Sequence, residues 1–192
     1  MTTVYFVRHA QPDFSVSNDM IRPLTGEGQE DKKLVLDFLK DKNIDAFYSS
    51  PYKRSFDTIA DAAKYFELNI QTDRRLRERD KGENGNKNHN MFRLRWADFD
   101  FRERGGESIN MVQKRNIEAL NEILESNRDK NIVIGTHGTA LASIINYYDS
   151  TFNCDDFLRM IDWMPYIIEL RFSGEQYAGR TEHVYVHKKF KW

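Results

Sequence analysis

Val4-Tyr5-Phe6-Val7-Arg8-His9-Ala10 reads as a short apolar β-strand that runs straight into an arginine–histidine pair. Far downstream, Ile132-Val133-Ile134-Gly135-Thr136-His137-Gly138 repeats the arrangement. In open α/β sheets, ligands bind in the crevice outside the carboxyl ends of the strands. Two strand-end histidines distant in sequence can therefore converge there. Either motif alone describes an ordinary polar strand end equally well, so the rest of the chain has to decide.

Between and around these two strands the pattern alternates. Leu34, Val35, Phe38 and Leu39 recur at helical spacing between Gln29 and about Lys42. Ile44 to Tyr48 reads as a strand closed by Ser49-Ser50-Pro51, and Phe56, Ile59, Ala60, Ala63 and Phe66 mark one face of the next helix. Asn69 to Thr72 is a short strand, a long helix runs from about Ser108, and a shorter one passes through Ala140, Leu141, Ile144 and Ile145. Tyr166–Phe172 and His183–His187 read as strands joined by a turn around Ser173-Gly174-Glu175. Strands alternating with helices predict an α/β domain, three-layer α/β/α, with a mixed, mostly parallel sheet. Residues 80–106 read as irregular and too long for an ordinary connection, so they are expected to form a small lid or cap insertion within a single domain spanning 1–192.

The chain has 192 residues, 40% hydrophobic and 31% charged, with a net charge of −1, the composition of one globular domain. This balance gives no electrostatic case for nucleic acid or an acidic membrane surface. No apolar run approaches the length of a membrane span, and the start of the chain lacks a signal pattern. Cys154 is the only cysteine, which excludes an internal disulfide and a cysteine-rich metal site. A cytoplasmic location is expected.

Arg8 suits phosphate because its planar fork makes two charge-assisted hydrogen bonds and keeps its charge. The unprotonated imidazole nitrogen of His9 is a competent nucleophile near neutral pH. Ser49-Ser50-Pro51-Tyr52-Lys53-Arg54 lies between a strand and a helix, where free backbone N–H groups favour anions and where Arg54 would occupy the first turn. Leu76-Arg77-Glu78-Arg79-Asp80-Lys81-Gly82 sets a carboxyl group among cations, which describes a surface ion-pair cluster as well as a catalyst. Glu107 is expected in the first turn of the long helix, where its charge favours the helix dipole. A metal site built on His9 and His137 would lack a carboxylate or cysteine set with ligand spacing.

In their order along the chain these segments resemble the histidine phosphatase, or phosphoglycerate mutase-like, superfamily. Arg8-His9-Ala10 resembles its Arg-His-Gly signature, Leu24-Thr25 with Gly28 and Gln29 its Leu-Thr-x-x-Gly-x-x-Gln segment, and Ser49-Ser50-Pro51 through Arg54 and Thr58 its helix start. Leu76-x-Glu78 before Gly82 resembles its acid motif, Gly105-Gly106-Glu107-Ser108 its Gly-Glu-Ser segment, and Thr136-His137-Gly138 its second histidine motif.

The resemblance implies a nucleophilic His9 and a general acid Glu78. It also implies that Arg8, Arg54 and His137, the last protonated, bind the transferring phosphoryl group, with no metal or other cofactor. Ala10 replaces a glycine, and Gln11-Pro12-Asp13 lacks the Glu-Ser and the later asparagine of the pattern, which leaves Gln11 as the substitute phosphate contact. Glu83-Asn84-Gly85 stands where Trp-Glu-Gly is usual, so Asp80 and Glu83 are rival acids. The implied activity is hydrolysis of a small phosphorylated metabolite. The alternatives are a phosphoglycerate-type mutase, which usually runs longer, and a non-catalytic binder of phosphorylated ligands. In the insertion, Lys81, Lys87, His89, Arg93, Arg95, Arg102 and Arg104 are mixed with Met91, Phe92, Trp96, Phe99 and Phe101. The cations suit a second anionic group on the substrate, and the aromatics either line the site or anchor the lid to the core.

Overall fold

A computed structural model describes residues 1–83 and 89–189. Its strands are β1 (Thr2–Arg8), β2 (Ala46–Ser49), β3 (Ile70–Thr72), β4 (Asn131–Thr136), β5 (Trp163–Ser173) and β6 (Gln176–His187). They form one sheet in the order β3-β2-β4-β1-β5-β6. β3, β2, β4 and β1 are mutually parallel, and β5 pairs antiparallel with both β1 and β6. The central strands are apolar on both faces, as a sheet covered by helices on each side requires. Val4, Phe6, Ile132, Ile134, Ile168 and Leu170 face one way and pack on α5 (Ile109–Ser126), α6 (Gly138–Tyr148) and α7 (Cys154–Met160). Tyr5, Val7, Phe47, Val133 and Ile167 face the other way, against α2 (Lys33–Leu39) and α3 (Lys53–Tyr65). The result is the three-layer α/β/α arrangement with a mixed, mostly parallel sheet.

The helix expected over 29–42 is interrupted at Lys32, which separates α1 (Gly26–Asp31) from α2. Thr25 caps α1, its hydroxyl accepting from Gly28 N at 3.0 Å. β6 is longer than its apolar stretch suggested, because pairing with β5 extends it back to Gln176 through three register irregularities.

Residues 80–106 are not irregular throughout: α4 (His89–Ala97) lies inside them. Phe92 and Trp96, one turn apart on α4, pack on Phe157 of α7, and Trp96 also meets Phe152 and Phe99. These aromatics therefore anchor the insertion to the core. Asn84, Gly85, Lys87 and the His89 side chain lie outside the described residues.

Candidate active site

Parallel pairing sets Arg8 of β1 opposite Thr136 of β4, so both strands release their histidines at the same edge of the sheet. His9 N donates to Thr136 O at 3.2 Å, and the two imidazoles lie edge to face, 5.3 Å between centroids. β2 flanks β4 on its other side, with Ser49 opposite Gly135. A Cβ on Gly135 would lie 2.8 Å from Ser49 Oγ and 3.0 Å from Ser55 Oγ, so glycine is what lets the head of α3 approach β4.

His9 is buried, and its Nδ1 lies 2.8 Å from the carbonyl oxygen of Ala10. A carbonyl only accepts, so Nδ1 carries the proton and Nε2 keeps its lone pair. Burial, then the charges of Arg54 and Arg8, hold this imidazole well below its ordinary pKa. Ala10 N donates to Thr58 Oγ1 at 3.0 Å, and that hydroxyl donates to Arg54 O at 2.7 Å. The histidine loop is thus tied to the helical turn that carries Arg54.

Arg8 Nη1 donates to the carbonyls of Met160, Ile161 and Trp163 at 2.6, 2.9 and 3.0 Å. The guanidinium thereby satisfies carbonyls at the C-terminal end of α7 that the helix leaves open. Its Nε has no partner among the described residues. Burial lowers its pKa to about 10, against the opposing pull of Glu78 and Asp162, so it stays charged at neutral pH.

Arg54 is also buried, and it is held by Asp19. Its Nη1 donates to Asp19 O at 2.6 Å and its Nη2 to Asp19 Oδ2 at 3.3 Å. Asp19 pairs with Arg22 as well. Burial alone would raise the Asp19 carboxyl, but Arg54, Lys81 and Arg22 outweigh it and keep it below its usual range. No sequence motif marks this aspartate, which reads as a loop residue.

Glu78 reaches the head of α6. Its carboxylate accepts from Thr139 N at 3.1 Å, Ala140 N at 3.2 Å and Arg79 N at 2.8 Å. Two of these are N–H groups that the first turn of a helix leaves without intrahelical partners.

His137 is wholly buried beside His9 and Tyr52. Its Nε2 lies 2.9 Å from Ser50 Oγ, and its Nδ1 has no partner among the described residues. Burial first, then Arg54, hold it well below its ordinary pKa, so the ring is neutral at neutral pH and not the imidazolium expected from the motif.

Arg8, His9, Arg54 and Glu78 line one cleft. Arg22, Arg79, Lys81 and Arg95 add positive charge to its walls, and Phe14, Phe92, Phe157, Ile161 and Met164 make them apolar in part. Among the described residues no three His, Cys, Asp or Glu side chains cluster so as to hold a metal ion. The arrangement is an imidazole among buried cations, with a carboxyl group lining the same cleft.

A family model, histidine phosphatase superfamily (branch 1), matches residues 4–163. The chain belongs to this superfamily.

Among curated relatives, the 2,3-bisphosphoglycerate-dependent phosphoglycerate mutase of Thermoplasma acidophilum is 29% identical over 158 residues, covering 77% of this chain and 76% of its own. The putative phosphoserine phosphatase 2 of Hydrogenobacter thermophilus is 28% identical over 159 residues, covering 76% and 77%. Among solved structures, YhfR of Bacillus stearothermophilus superposes with a TM-score of 0.75 at 23% identity, over 93% of this chain and 95% of its own. That likeness carries the fold.

Of the expected site residues, His137 lies buried behind His9 and does not itself line the cleft, and Gln11 is not brought to it at all. Its side-chain oxygen accepts from Thr25 Oγ1 at 2.9 Å, and it lines a neighbouring depression with Asp13, Ser15 and Thr25. The rival acids stand outside as well. Asp80 is exposed with its carboxylate on Gly82 N, and Glu83 is exposed near Arg104. Glu107 is not in the first turn of α5. It precedes the cap Ser108 and binds Arg77 and Arg115. No described helix is long and apolar enough to cross a membrane.

Proposed function

We propose that the protein is a metal-independent phosphomonoester hydrolase acting on a small phosphorylated metabolite through a phosphohistidine at His9. One observation carries the reading: the Ala10 carbonyl holds the proton of His9 on Nδ1 and leaves Nε2 as a lone-pair donor, on a cleft shared with Arg8, Arg54 and Glu78.

Nε2 attacks phosphorus opposite the ester oxygen, forming an N–P bond as the P–O bond breaks. Arg8 and Arg54 neutralise the equatorial oxygens, which is most of what phosphoryl transfer asks of a protein. The Nδ1 of His137 supplies a further donor, and a dianionic phosphoryl group beside this ring offsets the repulsion from Arg54 and favours its imidazolium. Glu78, entering the step protonated, gives its proton to the leaving alkoxide. As a carboxylate it then takes a proton from the water that hydrolyses the N–P bond, which restores both His9 and Glu78. Gln11 has no part in this scheme. The single cysteine fits a reducing, cytoplasmic compartment.

The test is release of inorganic phosphate from an aryl phosphate in the presence of chelator, by the parent and by His9→Ala. Turnover by the parent and its loss in the variant support the reading; turnover by His9→Ala at the parent rate excludes it.

A further inference from the structure

Glu78 rides on a stretch without regular secondary structure, between the helical turn Arg74–Leu76 and Gly82. The carbonyls of such a stretch ordinarily turn to solvent. Here two of them, with a third from the helical turn, converge on one side chain of α5. Arg115 Nη1 donates to Arg77 O at 2.8 Å and to Arg75 O, and Nη2 donates to Glu78 O at 3.1 Å. The same guanidinium is clamped by Glu107, Nε to Oε1 at 2.9 Å and Nη2 to Oε2 at 2.8 Å. Glu107 reaches the stretch itself, accepting from Asp80 N at 2.9 Å and from Arg77 Nη2 at 2.8 Å. One arginine and one carboxylate thus grip the backbone on both sides of Glu78 and at Glu78 itself. Both side chains are about nine-tenths buried, at 11% and 10% exposure, and neither lines the cleft.

We infer that Arg115 and Glu107 are positioning residues for the proton-transfer step, fixing where the Glu78 carboxyl stands relative to the leaving oxygen. The inference rests on the reading of Glu78 as the general acid. Two anchors hold that residue: the N–H groups at the head of α6 take its carboxylate, and Arg115 takes its backbone. With the second anchor gone, the backbone at Glu78 is held only through the carboxylate on α6, and the carboxyl group loses its fixed place relative to the ester oxygen. A guanidinium suits the task because its donors spread in a rigid planar fork, whereas an ammonium at that place cannot span three carbonyls and a carboxylate.

The test compares two leaving groups. A simple alkyl phosphate expels an alkoxide that needs a proton; dinitrophenyl phosphate expels a stable phenolate that does not. For Arg115→Lys, kcat/KM on the alkyl phosphate should fall about tenfold or more while that on the dinitrophenyl ester changes by less than about threefold, the scale on which misplacement of a reacting group acts. Equal losses on both esters, or no loss on either, overturn the inference, since a general structural defect does not sort substrates by leaving group. If Arg115→Lys does not fold, Glu107→Gln, which keeps shape and removes the clamp's charge, is held to the same comparison. Glu78→Gln is the reference: if it shows no leaving-group dependence, the acid assignment itself fails; if it does and the two buttress variants do not, only the positioning role is wrong.

Discussion

The imidazoles of His9 and His137 touch edge to face, 5.3 Å apart, at the ends of neighbouring parallel strands. Both are buried and both feel Arg54, so each takes up a proton far less readily than a histidine in water. In the free protein both rings are therefore neutral at neutral pH.

This has a consequence for stability. An unfolded histidine binds its proton near 6.5, and these two do so only well below that value. Below that point the unfolded chain binds more protons than the folded one, so stability is full above it and falls as pH drops towards the folded pKa values. Thermal melts between about pH 5 and 8 should show this slope, and replacing both histidines with glutamine should flatten it. A slope unchanged in the double variant would refute the assignment.

Asp19 occupies donors of Arg54 that the proposed mechanism assigns to the phosphoryl group. Asp19→Asn should tighten competitive inhibition by inorganic phosphate about fivefold, roughly 1 kcal/mol for a carboxylate that solvent partly screens. Weaker inhibition in the variant would mean that Asp19 helps to hold the anion.

Arg8 has a structural duty besides its place in the cleft. Arg8→Ala strips the carbonyls of Met160, Ile161 and Trp163 of their donor. Buried acceptors left unsatisfied cost about 1–3 kcal/mol each, so a loss of at least about 2 kcal/mol is expected in denaturant unfolding, together with loss of turnover. An unaltered midpoint would show that water or a rearranged α7 replaces the guanidinium.

Gly135→Ala should destabilise by about 1–3 kcal/mol, the scale of overpacking, because its methyl group meets Ser49, Ser55 and the backbone of α3. Retention of the parent midpoint would show that α3 can move away from β4.

The sheet and the gathering of Arg8, His9, Arg54 and Glu78 at one cleft were legible because their signals are local. Each apolar strand ends directly in its motif, and the Ser49–Thr58 segment carries its own helix start. What escaped depends on tertiary contact. α4 was hidden because Arg93 and Arg95 interrupt the apolar pattern of Phe92 and Trp96, and Arg95 is buried with Glu103 and the Phe92 ring against it, which only the fold reveals. α7 spans just seven residues, and only its capping box, Asn153 with Asp156, announces it. Asp19 and Arg115 belong to no motif, and the Arg54 side chain and 75–78 backbone that they hold are brought near only by the fold.

The most direct measurement is rapid quenching of the enzyme with a phosphoryl-labelled substrate, followed by mapping of the label. A phosphoryl group on His9, stable to base and lost in acid, is the predicted result. A label on another residue, or turnover with no protein-bound phosphoryl group at any time, would contradict the account.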